Sequence, residues 1–370
     1  MKYIDEFRQQ SLGENLAASI ATEVQSDRKY RFMEFCGGHT HAIFRYGVQD
    51  LLPPEIEMVH GPGCPVCVLP VGRIDQAIAL ASQEGVILCT YADMVRVPGS
   101  NRASLNKAKA AGADVRMIYS TQDALGIARS NPDRQTVFFA IGFETTTPPT
   151  AVAIRQARQE GLKNFSVFCN HVLTPAAIRS ILDTPDAVPL DGFVGPAHVS
   201  TVIGTKAYEC FAADFHKPVV IAGFEPLDIM QAILMLVRQA NEGRYEVENE
   251  YARAVTRDGN IKAQQLMDEM FELRPSFEWR GLGEVAESAL MIRDTYTEFD
   301  AEKRFDVELR PAKEIRGCEC GAILRGQKKP LDCKLFGTIC TPDNPMGSCM
   351  VSAEGSCAAY YSYGRFRGAE

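Results

Sequence analysis

Short apolar runs alternate with longer amphipathic stretches between residues 30 and 240, and this alternation most constrains the fold. The runs have the length of buried strands, whereas the stretches between them have helical spacing. The predicted strands are Tyr30–Phe35, Ile56–His60, Val86–Cys89, Val115–Tyr119, Thr136–Ile141, Phe165–Phe168, Gly192–Val194 and Pro218–Ala222. Because strands and helices alternate, the pattern predicts parallel sheets with helices on both faces.

The alternation is long enough for two α/β units. We expect the first sheet to take the strands up to Tyr119 and the second to begin at Thr136. From Pro311 onward the chain is rich in Cys, Gly, Pro and Lys, so a metal or disulfides must stabilise a segment with so little apolar core. The sequence therefore predicts two Rossmann-like lobes flanking a cleft, plus a small Cys-rich domain. The predicted ranges are lobe I at 1–130, whose N-terminal helix is expected to pack on the third domain, lobe II at 131–243, and a helical, Cys-rich third domain at 244–370.

Five polar motifs each follow directly on a predicted strand. They begin with Cys36-Gly-Gly-His39, Gly61-Pro-Gly-Cys64, Gly142-Phe-Glu144, Gly195-Pro-Ala-His198 and Gly223-Phe-Glu225. In open parallel sheets, binding sites form outside the carboxyl ends of the strands. Five motifs at such ends, divided between two sheets, therefore predict one shared cleft.

Cys36 is expected where a strand turns into a helix, and two glycines after it allow close approach of the backbone to a ligand. A thiol at a helix N-terminus has a lowered pKa and is more readily a thiolate that binds a soft metal. His39 and His41 follow at once and can hydrogen-bond or bind metal. The alternative is a structural turn with a buried cysteine, but a Cys, two Gly and two His within six residues favour function.

Cys64 and Cys67 form a Cys-x-x-Cys pair in a rigid turn that contains Gly and Pro. Such a pair can bind a metal or cycle between dithiol and disulfide. No second pair of this kind lies nearby in the sequence to complete a four-cysteine zinc site. Redox or open-site metal chemistry is therefore favoured over structural zinc.

Three further polar residues are candidates for the cleft. Glu144 offers a carboxylate at a helix start, and His198 lies in a turn after another strand. The structural alternatives are helix capping for Glu144 and a capping or core imidazole for His198. We expect both in the cleft, whereas His60, which precedes the Cys-x-x-Cys turn, is equally compatible with a structural role.

Charge and composition argue against several classes of function. The net charge of −8 and the lack of a Lys/Arg block argue against nucleic-acid binding. The N-terminus has no signal-peptide pattern, and no apolar run approaches the roughly 18 residues of a membrane span. We therefore expect a cytoplasmic protein, where thiols stay reduced and 12 cysteines indicate metal or redox chemistry. Cys89, Cys169 and Cys210 lie in apolar contexts and are expected to pack in cores.

Six cysteines are concentrated in the tail, at positions 318, 320, 333, 340, 349 and 357. Four thiolates can hold a [4Fe–4S] cluster, and four can also hold zinc. The spacing matches neither the common bacterial ferredoxin run nor a clean zinc ribbon, so both stay open. Two cysteines remain after four bind, and these two can form a disulfide that a nearby cluster would reduce.

Together these motifs closely resemble the HypD family of hydrogenase maturation factors. The matching stretches are Cys36-Gly-Gly-His-Thr-His-Ala, Gly61-Pro-Gly-Cys-Pro-Val-Cys, Gly142-Phe-Glu-Thr-Thr, Pro196-Ala-His-Val-Ser, Ala222-Gly-Phe-Glu-Pro and the tail from Cys320 through Glu354-Gly-Ser-Cys357. The resemblance covers nearly the whole chain, and the motif set is highly specific.

The resemblance implies a third domain with a [4Fe–4S] cluster and partners for assembly. The implied partners are a HypC-type chaperone and a HypE-type cyanide donor, which would help to build an iron with two cyanides and one CO for the hydrogenase large subunit. The residues that it implies are the essential, iron-handling thiols Cys36, Cys64 and Cys67, the cluster ligands Cys320, Cys333, Cys340 and Cys357, and an extra pair, Cys318 and Cys349, able to form a disulfide.

These expectations combine into an assembly scaffold with redox-active thiols rather than a conventional turnover enzyme. Cys36 would hold the iron together with a cysteine of the chaperone, and Cys64 and Cys67 would relay electrons from the cluster. His39 and Glu144 would orient ligands around the iron. The two alternatives are a cluster-dependent thiol–disulfide reductase of a protein substrate and a zinc-stabilised binding module.

Overall fold

The computed structural model describes residues 5–185, 187–306, 312 and 314–364. Its strands are β1 (Tyr30–Glu34), β2 (Ile56–His60), β3 (Val86–Thr90), β4 (Asp114–Met117), β5 (Gln135–Gly142), β6 (Phe165–His171), β7 (Gly192–Pro196), β8 (Val219–Ala222), β9 (Val247–Asn249), β10 (Phe271–Leu273), β11 (Ser276–Trp279), β12 (Gly283–Ala286) and β13 (Leu290–Ile292). Every predicted strand is therefore present, and the ends of all but Ile56–His60 differ from the prediction.

Helices connect and cover these strands. They are α1 (Gln10–Glu23), α2 (Gly37–Tyr46), α3 (Pro65–Val68), α4 (Val71–Ala81), α5 (Leu105–Ala110), α6 (Thr121–Ser130), α7 (Thr147–Glu160), α8 (Thr174–Leu182), α9 (Ala197–Ile203), α10 (Glu209–Phe215), α11 (Pro226–Glu242), α12 (Ile261–Met270), α13 (Ala301–Arg304), α14 (Cys320–Leu324) and α15 (Ser356–Ala359). Local sequence explains several ends: Ser120 and Asp123 form a capping box at α6, and Gly161 ends α7 with φ 68°. None of the helices in the described ranges is both long and apolar enough to traverse a bilayer.

Two parallel sheets organise the chain up to β9, as predicted, but they do not form one after the other. The five-stranded sheet has the order β2-β1-β7-β8-β9, and the four-stranded sheet has the order β4-β3-β5-β6. The predicted assignment of strands to sheets is therefore wrong, because the chain leaves the first sheet after β2 and returns to it only at β7. The predicted limit at residue 130 falls between β4 and β5 of one sheet, and the domain ranges themselves stay a prediction.

The physical reason for this difference is that a short apolar run does not encode its neighbours in a sheet. β1 pairs with β2 on one side and with β7 on the other, so Phe32 lies opposite both Met58 and Gly192. At the carboxyl ends of β1 and β2, Glu34 lies opposite His60. Since both strands lead directly into motifs that contain thiols, this register sets the two early motifs side by side.

The region after β9 packs against the sheets through hairpins and buried charges. The pairs β10–β13 and β11–β12 are antiparallel, and Arg73 of α4 bonds to both Asn170 of β6 and Glu302 of α13. Helix α1 packs mainly against α11 of the five-stranded sheet, through Ile20, rather than against this third region. Cys89 and Cys169 are buried in strands, whereas Cys210 is half-buried.

Candidate functional site

The end of β1 positions Cys36 directly before α2, at the N-cap position of that helix. Cys36 has an extended backbone, with φ −150° and ψ 128°, and is 9% exposed. Its N–H donates to Glu34 Oε2 at 2.9 Å. The fully buried Glu34 carboxylate also accepts from the Thr40 hydroxyl and from His60 Nδ1. Because one carboxylate ties the ends of β1 and β2 to the first turn of α2, the Cys36 loop is held rigidly.

The electrostatic surroundings of Cys36 differ from the expectation. Burial raises the pKa of its thiol, and the negative charges of Glu354 and Glu34 raise it further. The backbone N–H groups of Gly38 and His39 lower this pKa but do not compensate. The predicted lowering of the pKa is therefore wrong, because desolvation exceeds the effect of the helix N-terminus. Cys36 is therefore a neutral thiol at pH 7.

The loop after β2 brings Cys64 and Cys67 beside the Cys36 loop. Cys64 begins α3, its Sγ accepts the Cys67 N–H at 3.3 Å, and the two cysteines form a disulfide. The carbonyl of Gly63 accepts the Gly37 N–H at 3.0 Å. A Cβ on Gly63 would lie 2.4 Å from the Cys36 nitrogen, so only glycine permits this approach. The loops of the three thiols therefore meet at one edge of the five-stranded sheet.

His39 is buried behind Cys36, and its hydrogen bonds define the ring tautomer. Nε2 lies 3.0 Å from the carbonyl oxygens of both Ala222 and Gly223, so this nitrogen carries a proton and donates. Nδ1 has no hydrogen-bond partner among the described residues and retains its lone pair. Burial lowers the pKa of His39. The ring is therefore neutral and presents an acceptor, not a donor, at Nδ1.

The loop after β8 supplies Phe224, whose ring lies between two histidines. Its centroid is 4.8 Å from that of His39 and 4.1 Å from that of His198, which is exposed at the start of α9. A Cβ on Gly38 would lie 2.8 Å from the Phe224 ring. His39, His198 and the Cys36 loop thus surround one aromatic side chain.

Glu144 follows β5 in the other sheet and lies in a separate polar environment. Its buried carboxylate accepts the Thr174 N–H at 2.9 Å and the Thr174 hydroxyl at 3.0 Å. Burial raises the pKa of Glu144 to about 7, although the bonds from Thr174 lower it. Burial raises the pKa of Tyr208, and the charges of Glu144 and then of Cys36 raise it further, so this phenol lies within electrostatic reach of both residues. The hydrogen bonds of Glu144 hold the start of α8.

The tail contains a second disulfide, whose partners differ from those expected. Cys320, at the start of α14, is bonded to Cys349. The pair Cys318–Cys349, which the resemblance implied, is therefore wrong. Ser348 lies between the two disulfides: its Oγ donates to the Cys67 carbonyl at 2.9 Å and lies 3.7 Å from Cys320 Sγ. The Ser348 carbonyl is in turn 4.0 Å from Cys67 Sγ, so one residue touches both disulfides.

Four other tail thiols are free and lie near one another: Cys318, Cys333, Cys340 and Cys357. Besides burial, the charges of the other three raise the pKa of Cys357. Burial, and then Cys333 and Cys340, raise the pKa of Cys318 to about 11. Thiols that influence one another in this way are close in space. Cys318 is thus free, whereas Cys320, which the resemblance gave as a cluster ligand, is in a disulfide; the ligand set itself stays a prediction.

The donor set of this group fits a [4Fe–4S] cluster, which takes four cysteine thiolates. Gly347 lies close to the Cys318 thiol, because a Cβ at this position would be only 2.6 Å from Cys318 Sγ. Glycine therefore leaves room for that sulfur. Across the described ranges no three His, Cys, Asp or Glu side chains converge closely enough to hold a single metal ion. Cluster binding by these four thiols stays a proposal.

Three residues of the site escaped prediction: Glu34, Ser348 and Glu354. Glu34 interrupts an apolar strand, and a charged residue in such a run is a usable signal because carboxylates are seldom buried without partners. Glu354 packs on the Cys36 loop, since a Cβ on Gly37 would lie 2.4 Å from the Glu354 Cβ. Ser348 has no signal in the sequence, because its role comes from having disulfides on both sides.

The fold and the site define a parallel-sheet α/β protein with redox-competent cysteines beyond the carboxyl ends of its strands. The family model described as "HypD: Hydrogenase formation hypA family" matches residues 11–364. The chain therefore belongs to the HypD family of hydrogenase maturation factors, which confirms the resemblance.

Curated relatives match the chain over nearly its whole length. It is 66% identical to the hydrogenase maturation factor HypD of Rhizobium leguminosarum bv. viciae, over 99% of this chain and 97% of that protein. Identity is 65% to HypD of Azotobacter vinelandii, over 99% of this chain and 98% of that protein. It is 46% to HypD of Escherichia coli (strain K12), over 98% of each chain. The likeness therefore extends over the sheets and the tail alike.

Proposed function

We propose that this protein acts in the cytoplasm as a scaffold on which an iron receives two cyanides and one CO during hydrogenase maturation. A HypC-type chaperone would share the iron, and a HypE-type protein would donate the cyanide. The observation that carries the proposal is the contact of Ser348 with both disulfides. It joins the tail disulfide Cys320–Cys349 to the disulfide Cys64–Cys67, whose loop lies beside that of Cys36.

Cys36 is the residue that would bind the cargo iron, because a soft, electron-rich iron favours thiolate ligands. Its proton must leave when the iron binds, since burial keeps the thiol neutral beforehand. The carboxylate of Glu354, which packs on the Cys36 loop, would accept that proton. Neutralising Glu354 also removes a charge that opposes thiolate formation.

His39 would orient the cargo by accepting a hydrogen bond rather than by donating one. Its proton is engaged at Nε2 with two carbonyls, and only the Nδ1 lone pair is free. His198 and Phe224 would cover the iron from the side of β8. Glu144 would act at a longer range, through its charge, rather than by touching the ligands.

The disulfide Cys64–Cys67 would serve as the electron store next to the iron. Opening it takes two electrons and two protons and leaves two thiols. Cys320–Cys349, on the other side of Ser348, would supply those electrons when it is itself reduced. A [4Fe–4S] cluster held by Cys318, Cys333, Cys340 and Cys357 would pass two electrons from an external electron donor, one at a time, to that tail disulfide, which also takes up two protons.

Infrared spectroscopy of the anaerobically purified protein, with and without the chaperone, tests this function. We expect bands of iron-bound CO and cyanide that disappear in Cys36→Ala. Cys64→Ser should abolish maturation of a hydrogenase while iron analysis of the tail stays unchanged. A Cys36→Ala protein that still shows the bands, or a Cys64→Ser protein with full maturation activity, contradicts the respective role.

The adjacent disulfides also favour a second candidate, a thiol–disulfide reductase of a protein substrate. That function predicts catalytic reduction of a substrate disulfide and no infrared bands from CO or cyanide. A zinc-stabilised binding module predicts colourless protein with zinc and without sulfide. Brown protein with about four irons per chain excludes the zinc module.

A further inference from the structure

A buried arginine lies between the two groups of thiols. Arg280 is in the turn between β11 and β12, and its side chain is only 2% exposed. Its backbone N–H donates to the Val68 carbonyl at 2.7 Å, one residue beyond Cys67. The next residue, Gly281, packs on Gly321, one residue beyond Cys320, where a Cβ on Gly281 would lie 2.9 Å from the Gly321 Cα. The tip of this hairpin is therefore wedged between both disulfides.

The guanidinium of Arg280 has unused hydrogen-bond donors. Nε and Nη2 are buried and have no hydrogen-bond partner among the described residues. The Glu314 carboxylate lies 3.0 Å from Nε but off the direction of its N–H bond, and that side chain is 51% exposed. Burial lowers the pKa of Arg280, and the negative charges of Glu314 and then Cys318 oppose this effect. Arg280 is thus an under-paired buried cation within electrostatic reach of a free tail thiol.

A buried guanidinium is costly unless an anion accompanies it. Glu314 supplies only part of that charge, because it is half in water. The thiolates of Cys318, Cys333, Cys340 and Cys357 around a bound cluster would supply the remaining negative charge. Each electron that enters such a group adds negative charge, and a nearby cation with free N–H donors stabilises the reduced form.

We propose that Arg280 is a positioning residue for electron transfer, whose unpaired N–H groups face the Cys318 thiolate of the metal-loaded tail and raise its reduction potential. The inference rests on the proposed cluster function of the four tail thiols. The step itself is a one-electron reduction in which no bond breaks, with dithionite as the external reductant in the test.

The test is an anaerobic redox titration, followed by visible absorbance and electron paramagnetic resonance. Arg280→Met is the main variant, because an apolar side chain of similar volume commonly replaces a buried charge without loss of folding. At the potential where the wild type is half reduced, we expect at least a tenfold lower ratio of reduced to oxidised protein. For a one-electron couple this corresponds to 59 mV. Arg280→Lys keeps the charge and should change the ratio less than threefold.

Arg316→Gln is the matched control. It removes a guanidinium two residues from Cys318, but an exposed one, so water and salt screen its charge and the ratio should not change. An unchanged potential in Arg280→Met, with wild-type iron and sulfide, overturns the role of Arg280 alone. If Arg280→Met does not fold, the test rests on Arg280→Lys. A change of tenfold or more in its ratio of reduced to oxidised protein then overturns the proposed role of Arg280. Wild-type protein without iron and sulfide instead overturns the cluster function.

Discussion

The two disulfides of this protein bring their cysteines together in different ways. Cys64 and Cys67 are three residues apart and flank the first turn of α3. Cys320 and Cys349 are 29 residues apart, and the chain between them consists mainly of turns. In the chain-entropy account, a disulfide stabilises a fold more when it closes a longer loop. The difference here is about 2 kcal/mol for the near pair against about 4 kcal/mol for the distant pair.

The two disulfides are suited to different functions. The near pair can open while the backbone stays in place, because the Gly63 carbonyl and the α3 turn hold the loop independently. The distant pair holds a segment with little regular structure, next to the four free thiols. A pair that opens at a smaller cost in stability suits repeated reaction beside a cargo, whereas the distant pair suits supply of electrons to it.

The largest expected effect concerns the membership of the tail group. Cys318→Ser removes one of the four free thiols, so anaerobically purified protein should lose its iron, about four per chain for one cluster. Cys320→Ser leaves the four thiols intact and should keep the iron. Iron and sulfide analysis with a visible spectrum measures both variants. The reverse pattern would return Cys320 to the ligand set and exclude Cys318 from it.

Removing each disulfide tests the energetic contrast directly. The double variant Cys320→Ser/Cys349→Ser should lose about 4 kcal/mol of unfolding free energy under oxidising conditions, and Cys64→Ser/Cys67→Ser about 2 kcal/mol. Urea unfolding gives both values. Under reducing conditions the wild type should lose the same stability, which controls for the serines. Equal losses from the two pairs would show that loop length does not distinguish them.

Glu144 makes the free energy of unfolding depend on pH. Its pKa is about 7 in the folded protein, against the usual 4.5, so the folded state holds the proton more tightly. The stabilisation is complete below pH 4.5 and is lost as the pH rises through 7, about 3 kcal/mol in all. Glu144→Gln cannot titrate, so its stability relative to the wild type should rise by that amount between pH 4.5 and pH 8. Urea unfolding at both values measures it, with exposed Glu84→Gln as the unchanged control.

The smallest effect is expected at the residue that joins the two regions. Ser348→Ala removes the hydroxyl that donates to the Cys67 carbonyl, at a cost of about 1 kcal/mol. Reduction of Cys64–Cys67 should also slow relative to reduction of Cys320–Cys349, as followed by thiol alkylation and mass spectrometry. Ser82→Ala, which removes an exposed hydroxyl bonded within its own helix, is the control. Unchanged reduction kinetics would mean that Ser348 is only a packing residue.

Features that depend on neighbours in the chain were predictable. The strand at Ile56–His60 was predicted with the bounds that the structure has, because an apolar run between turn residues encodes a strand locally. The pairing of Cys64 with Cys67 needed only their spacing and a turn. Family membership also followed from local motifs, since each is a continuous stretch of residues.

Features that depend on contacts between distant segments of the chain were not predictable. The neighbour of β1 at β7 lies about 160 residues further along the chain, and an apolar strand accepts many partners equally well. The choice of Cys320 over Cys318 as the partner of Cys349 depends on the path of a loop with little regular structure.

By itself, the sequence determined the strands, the turns after them and the thiols that those turns carry, because short-range sterics and apolar periodicity act within a few residues. Packing of distant segments sets which strands share a sheet, which tail cysteines pair and that Cys36 is a neutral thiol. Those outcomes depend on burial, and burial is a property of the whole packed chain rather than of any segment.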